Sequence, residues 1–474
     1  MPARPDPLLV AKNMKEDHYF GAVGETQIHP AALVCLLVAV VLLFGLRRRY
    51  AFIPLLVASL FIPLSQEVMV AGLHLTISRI LLLFAWIRLL KTRHEEGRSG
   101  MRWTRLDTVF LAYCLVNAVA YFILWGEFGA LVNRLGFLYN ALGIYFFMRF
   151  FVRDFRDLQT LTKTFAWVLI VLAVFMLNEQ ATRYNAFSIF GGVPPVTELR
   201  GDKLRSQGPF AHPLLAGTVG AALFPLILSL WWQGRKSRKL ALIGSLAAAV
   251  VAIASMSSTP LLALMAGIFA LLMWPMRRQL RWFRWATAAA LLTLHLVMKA
   301  PVWALISRID LTGSSSSYHR YELVNQFILR FSEWWLVGTR NTSAWGWDMW
   351  DTINSYVAAG TDGGLLTFLL FIAVIAVAFQ QLGVARKRAG IDFERARLLW
   401  GLGAMLFVHS VAFFGIGYFD QSSILWYTGL AMIGTAVTLK VPLLKAAPAA
   451  ENPAHSFDCY AQPAYQSESR FAGL

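Results

Sequence analysis

Apolar residues in this chain fall in long unbroken runs rather than at alternating positions. They occupy about 31–46, 51–64, 73–90, 106–125, 130–148, 160–177, 213–232, 240–256, 260–275, 283–298, 363–380, 397–417 and 423–439. A helix needs about 20 residues to cross ~30 Å of hydrocarbon, and in lipid a chain must satisfy its own backbone polar groups. Each run therefore predicts a spanning helix, although the second and ninth are short, with Pro54, Pro63, Pro260 and Pro275 at their ends. The pattern predicts an all-α polytopic integral membrane protein with about 12–13 transmembrane helices. Residues 1–30 form a polar arm lacking an apolar core, so a cleavable signal peptide is not expected. Residues 441–474, rich in Ala, Pro and Ser, read as a disordered tail.

Composition narrows the class without changing it. Of 474 residues, 57% are apolar and 15% charged, with 34 Phe and 17 Trp. Soluble domains run near 45–50% apolar and ~25% charged, which excludes disorder, a collagen-like chain and an ordinary cytosolic enzyme. Cys35, Cys114 and Cys459 cannot form a disulfide framework, and no zinc or redox motif accompanies them.

The net charge of +17 would suggest nucleic acid in a soluble protein. Here its placement gives a different answer. With connections alternating between an inner and an outer side, and 47–50 taken as inner, the inner set holds 29 of the 43 basic residues. The short outer loops 65–72, 126–129, 255–259 and 418–422 contain neither Lys nor Arg. The positive-inside rule then predicts an outer N-terminus and an inner C-terminus. The charge is a topology signal, and no nucleic-acid partner is expected.

Two long connections, 178–212 and 299–362, fall on the outer side, where chemistry has access to water. The first ends in Arg200-Gly201-Asp202-Lys203-Leu204-Arg205-Ser206-Gln207-Gly208-Pro209-Phe210-Ala211-His212-Pro213. An arginine fork suits phosphate, since it gives two parallel charge-assisted bonds. A turn whose arginines meet lipid headgroups fits the same residues. The second connection carries Tyr318-His319-Arg320-Tyr321-Glu322, an amphipathic stretch (Leu323, Phe327, Ile328, Phe331), six tryptophans, and Asp351-Thr352-Ile353-Asn354-Ser355-Tyr356. Tryptophans favour the interface and also offer a face for a sugar ring. The aromatic content predicts that this connection is ordered and packed on the helices. Arg79 and Arg134 lie inside apolar runs near their outer ends; buried charge marks a site or a pair, and snorkelling to headgroups is the alternative. His409, mid-run, reads as a satisfied core histidine. No P-loop, dinucleotide fingerprint, H-E-x-x-H or G-x-S-x-G is present, so an activated donor would have to come from the membrane.

The segment R-x-x-G-x-F-x-H-P at Arg205–Pro213, the later L-V-G-T, and N-x-Y with a Gly-Gly start (Asn354, Tyr356, Gly363, Gly364) carry a likeness. Over roughly residues 31–440 the chain resembles the O-antigen ligase and polymerase superfamily of bacterial inner membranes. The resemblance implies a GT-C-like helical fold with a periplasmic loop 178–212 and a large periplasmic loop 299–362 between membrane portions 31–298 and 363–440. It implies a lipid-linked glycan donor, an undecaprenyl pyrophosphate, with a glycan or lipid acceptor among membrane lipids, and no metal or other cofactor. Arg205, Arg320, Arg79 and Arg134 would bind pyrophosphate, and Trp347, Asn354 and Tyr356 the glycan. Two positions depart from the pattern. Ile353 stands where ligases usually have histidine, and Ser257-Ser258-Thr259-Pro260 where they commonly carry an arginine. His319, His212, Asp351 or Glu322 would then replace the base, which favours a divergent polymerase-like member. A transporter of a small solute or anion is the rival reading, and would call for repeats and helices broken at the midplane.

Overall fold

Chains of apolar residues close their backbone hydrogen bonds along themselves, and every one of the runs above contains a helix in the computed structural model. The structure describes residues 26, 28–70, 73–95, 101–308, 317–390 and 392–439. The expected disordered tail, most of the N-terminal arm and residues 309–316 of the second long connection lie outside the described residues. The helices are α1 (Pro30–Gly45), α2 (Ile53–Phe61), α3 (Ile77–Glu95), α4 (Arg105–Trp125), α5 (Phe128–Phe151), α6 (Phe155–Thr182) and α7 (Pro213–Leu228). They continue as α8 (Arg235–Ala254), α9 (Ser258–Leu272), α10 (Leu280–Val297), α11 (Ser317–Leu329), α12 (Ser355–Ala389), α13 (Phe393–Ala412) and α14 (Asp420–Thr438). Two antiparallel hairpins are the only sheets among the described residues: β1 (Glu67–Val70) with β2 (Leu73–Thr76), and β3 (Glu198–Arg200) with β4 (Lys203–Arg205).

Five helices, α4, α6, α8, α12 and α7 with its continuation to Trp232, are long and apolar enough to cross a membrane. A sixth candidate is α10 with the short helix Val302–Arg308, bent by 91° between the two. The chain is thus a mostly helical protein with apolar helices suited to a bilayer. Two of the expected runs are cut shorter than the apolar pattern suggests. At 9 residues α2 is only about 14 Å long. The run expected from residue 73 opens instead as strand β2, because Leu73-His74-Leu75-Thr76 alternates and pairs with β1 in the register Glu67↔Thr76 to Val70↔Leu73.

The connections gather at two ends of the helical array. At one end Arg48 donates to the Phe151 carbonyl, Arg88 to that of Leu46, and Arg149 to that of Arg102. Gln159 meets Gln233, Gln233 meets the Glu394 carbonyl, and Arg386 meets that of Arg277. Every connection that the charge count assigned to the inner side, apart from the tail, is represented in these contacts. The other end joins Gln66 to Phe190, Gln180 to Ala254, Ser355 to Ile416 and Gln421 to Pro209. The first is the basic end and the second the opposite end.

Most buried apolar side chains form one cluster running through the helices, with Phe110, Tyr145, Phe165 and Phe413 among its largest members. A second cluster joins the 317–350 segment to the start of α12: Leu323, Phe327, Trp334, Trp345, Met349 and Val357. Phe327 and Trp334 stack at 3.9 Å, and Arg340 donates to the carbonyls of Leu124 and Trp125 at the end of α4. The expected packing of this connection holds for Trp334 and Trp345, while Trp347 is 88% exposed.

Candidate functional site

The opposite end carries the polar residues singled out by sequence. A buried carboxylate organises the first loop. Glu179, near the end of α6, accepts hydrogen bonds from the Gln207 and Gly208 amides and the Thr197 hydroxyl. Gln180 donates to the Leu204 carbonyl, and Asn185 donates to that of Gly208. Gly208 has φ +57°, a left-handed backbone that leaves its amide free to meet Glu179. Sequence reasoning passed over Glu179. The signal was the polar triplet Asn178-Glu179-Gln180 closing a long apolar run.

That scaffold sets Arg205, at the end of β4, with 3% exposure. Its Nη1 donates to Glu198 Oε1 at 2.6 Å across the hairpin, and Nη2 donates to Ser257 Oγ at 2.9 Å. The Ser257 hydroxyl gives its own proton to the Ser255 carbonyl at 2.8 Å, so a lone pair faces the guanidinium. Nε of Arg205 is buried with no hydrogen-bond partner in the protein. The loop before α9, which lacks an arginine of its own, thus receives one from the preceding hairpin.

His212 stands close to Arg205 and caps α7, its Nδ1 accepting from the Leu214 amide at 3.1 Å. Burial, then the nearby cations Arg205 and Arg200, lowers its pKa to about 4 against the opposing pull of Glu198. At neutral pH the ring is uncharged, and with Nδ1 occupied as acceptor its proton sits on Nε2. This geometry makes His212 a hydrogen-bond donor.

A second group forms on the other long connection. His319, in the first turn of α11, lies within electrostatic reach of Asp351. The Asp351 carboxyl is raised above the usual carboxylate range, chiefly by partial desolvation and also by Asp348, with His319 acting the other way. Asp351 is two residues from Ile353, so a histidine from another element reaches the segment that lacks one. Arg320 is the next residue of α11, and it is buried. Glu322 accepts from Gln326 on the same helix at 2.7 Å.

The two groups are linked through packed backbone. Thr259 donates to the Gly415 carbonyl at 3.4 Å, and Ser355 donates its amide to the Phe413 carbonyl and its hydroxyl to that of Ile416. A Cβ on Gly417 would sit 3.4 Å from the Thr352 carbonyl. Asn354 and Tyr356 belong to this framework. Asn354 caps α12 by accepting from the Tyr356 and Val357 amides, and the Tyr356 hydroxyl donates to the Ser410 carbonyl among Phe371, Phe413 and Phe414.

Arg79 and Arg134 occupy other settings. Because α3 begins at Ile77, Arg79 lies in its first turn, beneath the hairpin, donating to the His74 carbonyl and to Asn140. It is therefore closer to the helix end than the apolar run suggested. Arg134 is buried in α5, donates to Asn117 at 2.8 Å, lies 3.5 Å over the Tyr121 ring, and stands 4.0 Å from Asp362. His409 is held in the core through its Nδ1 and the Tyr418 hydroxyl at 2.6 Å, while its buried Nε2 has no hydrogen-bond partner in the protein, so the expected satisfied histidine is satisfied at one nitrogen only.

No protein-family model matches the chain, and no curated protein matches it. Among the described residues no group of three or more His, Cys, Asp or Glu side chains is arranged to hold a metal ion.

Proposed function

We propose that the chain is a divergent member of the O-antigen ligase and polymerase superfamily, transferring a glycan from undecaprenyl pyrophosphate to a hydroxyl acceptor. On this reading it is a multi-pass protein of the bacterial inner membrane with 12–13 spans and a GT-C-like arrangement. The basic end faces the cytoplasm, as the positive-inside rule requires, and the opposite end is the active, periplasmic face. The observation that carries the reading is Arg205 bonded to Ser257. The guanidinium is supplied in space to the loop where ligases commonly have their own arginine.

Arg205, with a buried donor to spare and the Gln207-Gly208 backbone that follows it locked by Glu179, is preorganised for an anion. Such fixed charge acts where negative charge develops, on the departing pyrophosphate. Arg320 supplies a second cation beside His319. His319, within electrostatic reach of Asp351, takes the acceptor hydroxyl proton as the oxygen attacks the anomeric carbon. The bond from that carbon to the pyrophosphate oxygen breaks, and undecaprenyl pyrophosphate leaves with the electron pair. His212 donates from Nε2 to the departing oxygen. Arg79 and Arg134 steady the rim, and Trp347 offers an exposed face to the sugar.

A break in α12 bears on the transporter reading. Gly364 is non-helical, with φ +75°. The break precedes 25 helical residues spanning about 38 Å, so it lies at the end of the apolar span rather than at its midpoint. That position favours transfer over alternating access. Purified protein in liposomes, given an undecaprenyl-pyrophosphate glycan and a hydroxyl acceptor glycan, should form a new glycosidic product. Movement of glycan across the bilayer without product would support the transporter instead.

A further inference from the structure

The basic end is neutralised unevenly: Arg395 is paired with Asp392 at 3.0 Å, and further pairs lie on one half. Arg149 is paired with buried Asp107 at 2.9 Å, and Arg48 and Arg49 are paired with Asp157 at 2.9 and 3.1 Å. On the other half, α10 stands off from α9, α12 and α13 and leaves a cavity of 990 Å³ between them. Arg277, Arg278, Arg281, Arg284, Arg386 and Lys387 line it, and among the described residues no Asp or Glu does. Phe269, Phe379, Leu399 and Phe407 make the walls apolar.

The cations there rest on rings and carbonyls. Arg277 lies 4.5 Å over Trp274, and Arg386 lies 5.4 Å over Trp400 while donating to the Arg277 carbonyl. Next to them Arg397 is wedged between Trp232 at 4.1 Å and Trp274 at 4.0 Å, its Nε buried without a hydrogen-bond partner in the protein. No carboxylate among the described residues pairs with Arg277, Arg386 or Arg397. Helix α10 itself has no buried residue, and Phe283 meets Phe269 of α9 at 6.0 Å between ring centroids.

We infer that this groove is a binding site for an anionic glycerophospholipid. Its phosphate meets the arginines at the basic end, and its acyl chains lie along the apolar walls between α10 and the α12–α13 pair. A cationic rim with an apolar interior matches such a lipid in both halves of its chemistry, and a soluble phosphate would leave the walls uncovered. The inference does not depend on glycan transfer, since it concerns the opposite side of the molecule.

The full chain, purified in detergent and stripped of lipid, would be titrated with phosphatidylglycerol, phosphatidylcholine or inorganic phosphate while bound lipid and thermal midpoint are followed. Phosphatidylglycerol should bind and stabilise on the order of tenfold more tightly than phosphatidylcholine, and inorganic phosphate should do neither. Arg277→Gln with Arg386→Gln should abolish the preference. The exposed pair Arg281→Gln with Arg284→Gln, which leaves the buried contacts intact, should weaken it. Arg156→Gln with Lys236→Gln, exposed cations of the same end outside the groove, should leave it unchanged. Equal binding of both lipids, equal loss in that last pair, or stabilisation by phosphate alone would overturn the assignment.

Discussion

His212 shows how a single residue records its surroundings. Its folded pKa of about 4 lies below the ordinary 6.5, so the folded chain binds fewer protons than the unfolded one. The stability it supports is complete above pH 6.5 and is lost as pH falls toward 4, at no more than ~1.4 kcal/mol per pH unit for one proton. Protonating Nδ1 also removes the α7 cap, an interaction typically worth ~1 kcal/mol. His212→Asn keeps a capping acceptor and cannot titrate. Its thermal midpoint between pH 7 and 4.5 should fall less steeply than that of the parent, and parallel curves would refute the assignment. The sequence drew attention to His212 through its motif, but its neutral donor state comes from Arg205 and Arg200, whose proximity depends on the fold. Arg79 teaches the converse: a strand hidden in an apolar run moved it to a helix end.

Among the elements, the L-V-G-T segment and the Gly-Gly start of α12 prove to be one interlocked structure. The break at Gly364 frees two backbone groups, and both find partners across the junction. Thr339 donates its amide to the Thr361 carbonyl at 2.8 Å, and Leu365 donates to that of Trp335 at 2.8 Å. Gly338, with φ +101°, approaches so closely that an added Cβ would lie 2.1 Å from the Thr361 oxygen; one on Gly364 would lie 2.4 Å from the Leu336 oxygen. Both glycines thus answer to backbone strain and to close approach together. Gly338→Ala and Gly364→Ala should each destabilise by roughly 2 kcal/mol or more, read as a lower thermal midpoint in detergent. Alanine at Gly201, which has a positive φ but open space, should cost only about 1 kcal/mol. The spacing of these motifs was visible in the sequence; their mutual contact was not, because more than twenty residues separate the two halves.

At the scale of the molecule, the charge count and the coordinates agree on how the connections sort. The basic connections share one end through Arg48, Arg88, Arg149, Gln233 and Arg386. Apolar runs betray helices because lipid and core alike demand internal hydrogen bonding, whereas short hairpins within those runs leave only a faint alternation. A reporter fused after Lys445 should read cytoplasmic and one inserted near Ser315 periplasmic; the same side for both would contradict the orientation.

The central claim is that Arg205 holds the donor pyrophosphate, and its most direct measurement is donor affinity. Undecaprenyl pyrophosphate binding to the reconstituted chain should weaken on the order of tenfold or more in Arg205→Ala, since a charge-assisted contact contributes about 1.5–3 kcal/mol. Arg205→Lys should recover little of it, because an ammonium lacks the fork that spans Glu198, Ser257 and the anion. Arg320→Ala should weaken binding as well, with thermal midpoints near that of the parent showing that the fold survives. Unchanged affinity in folded Arg205→Ala protein would contradict the account.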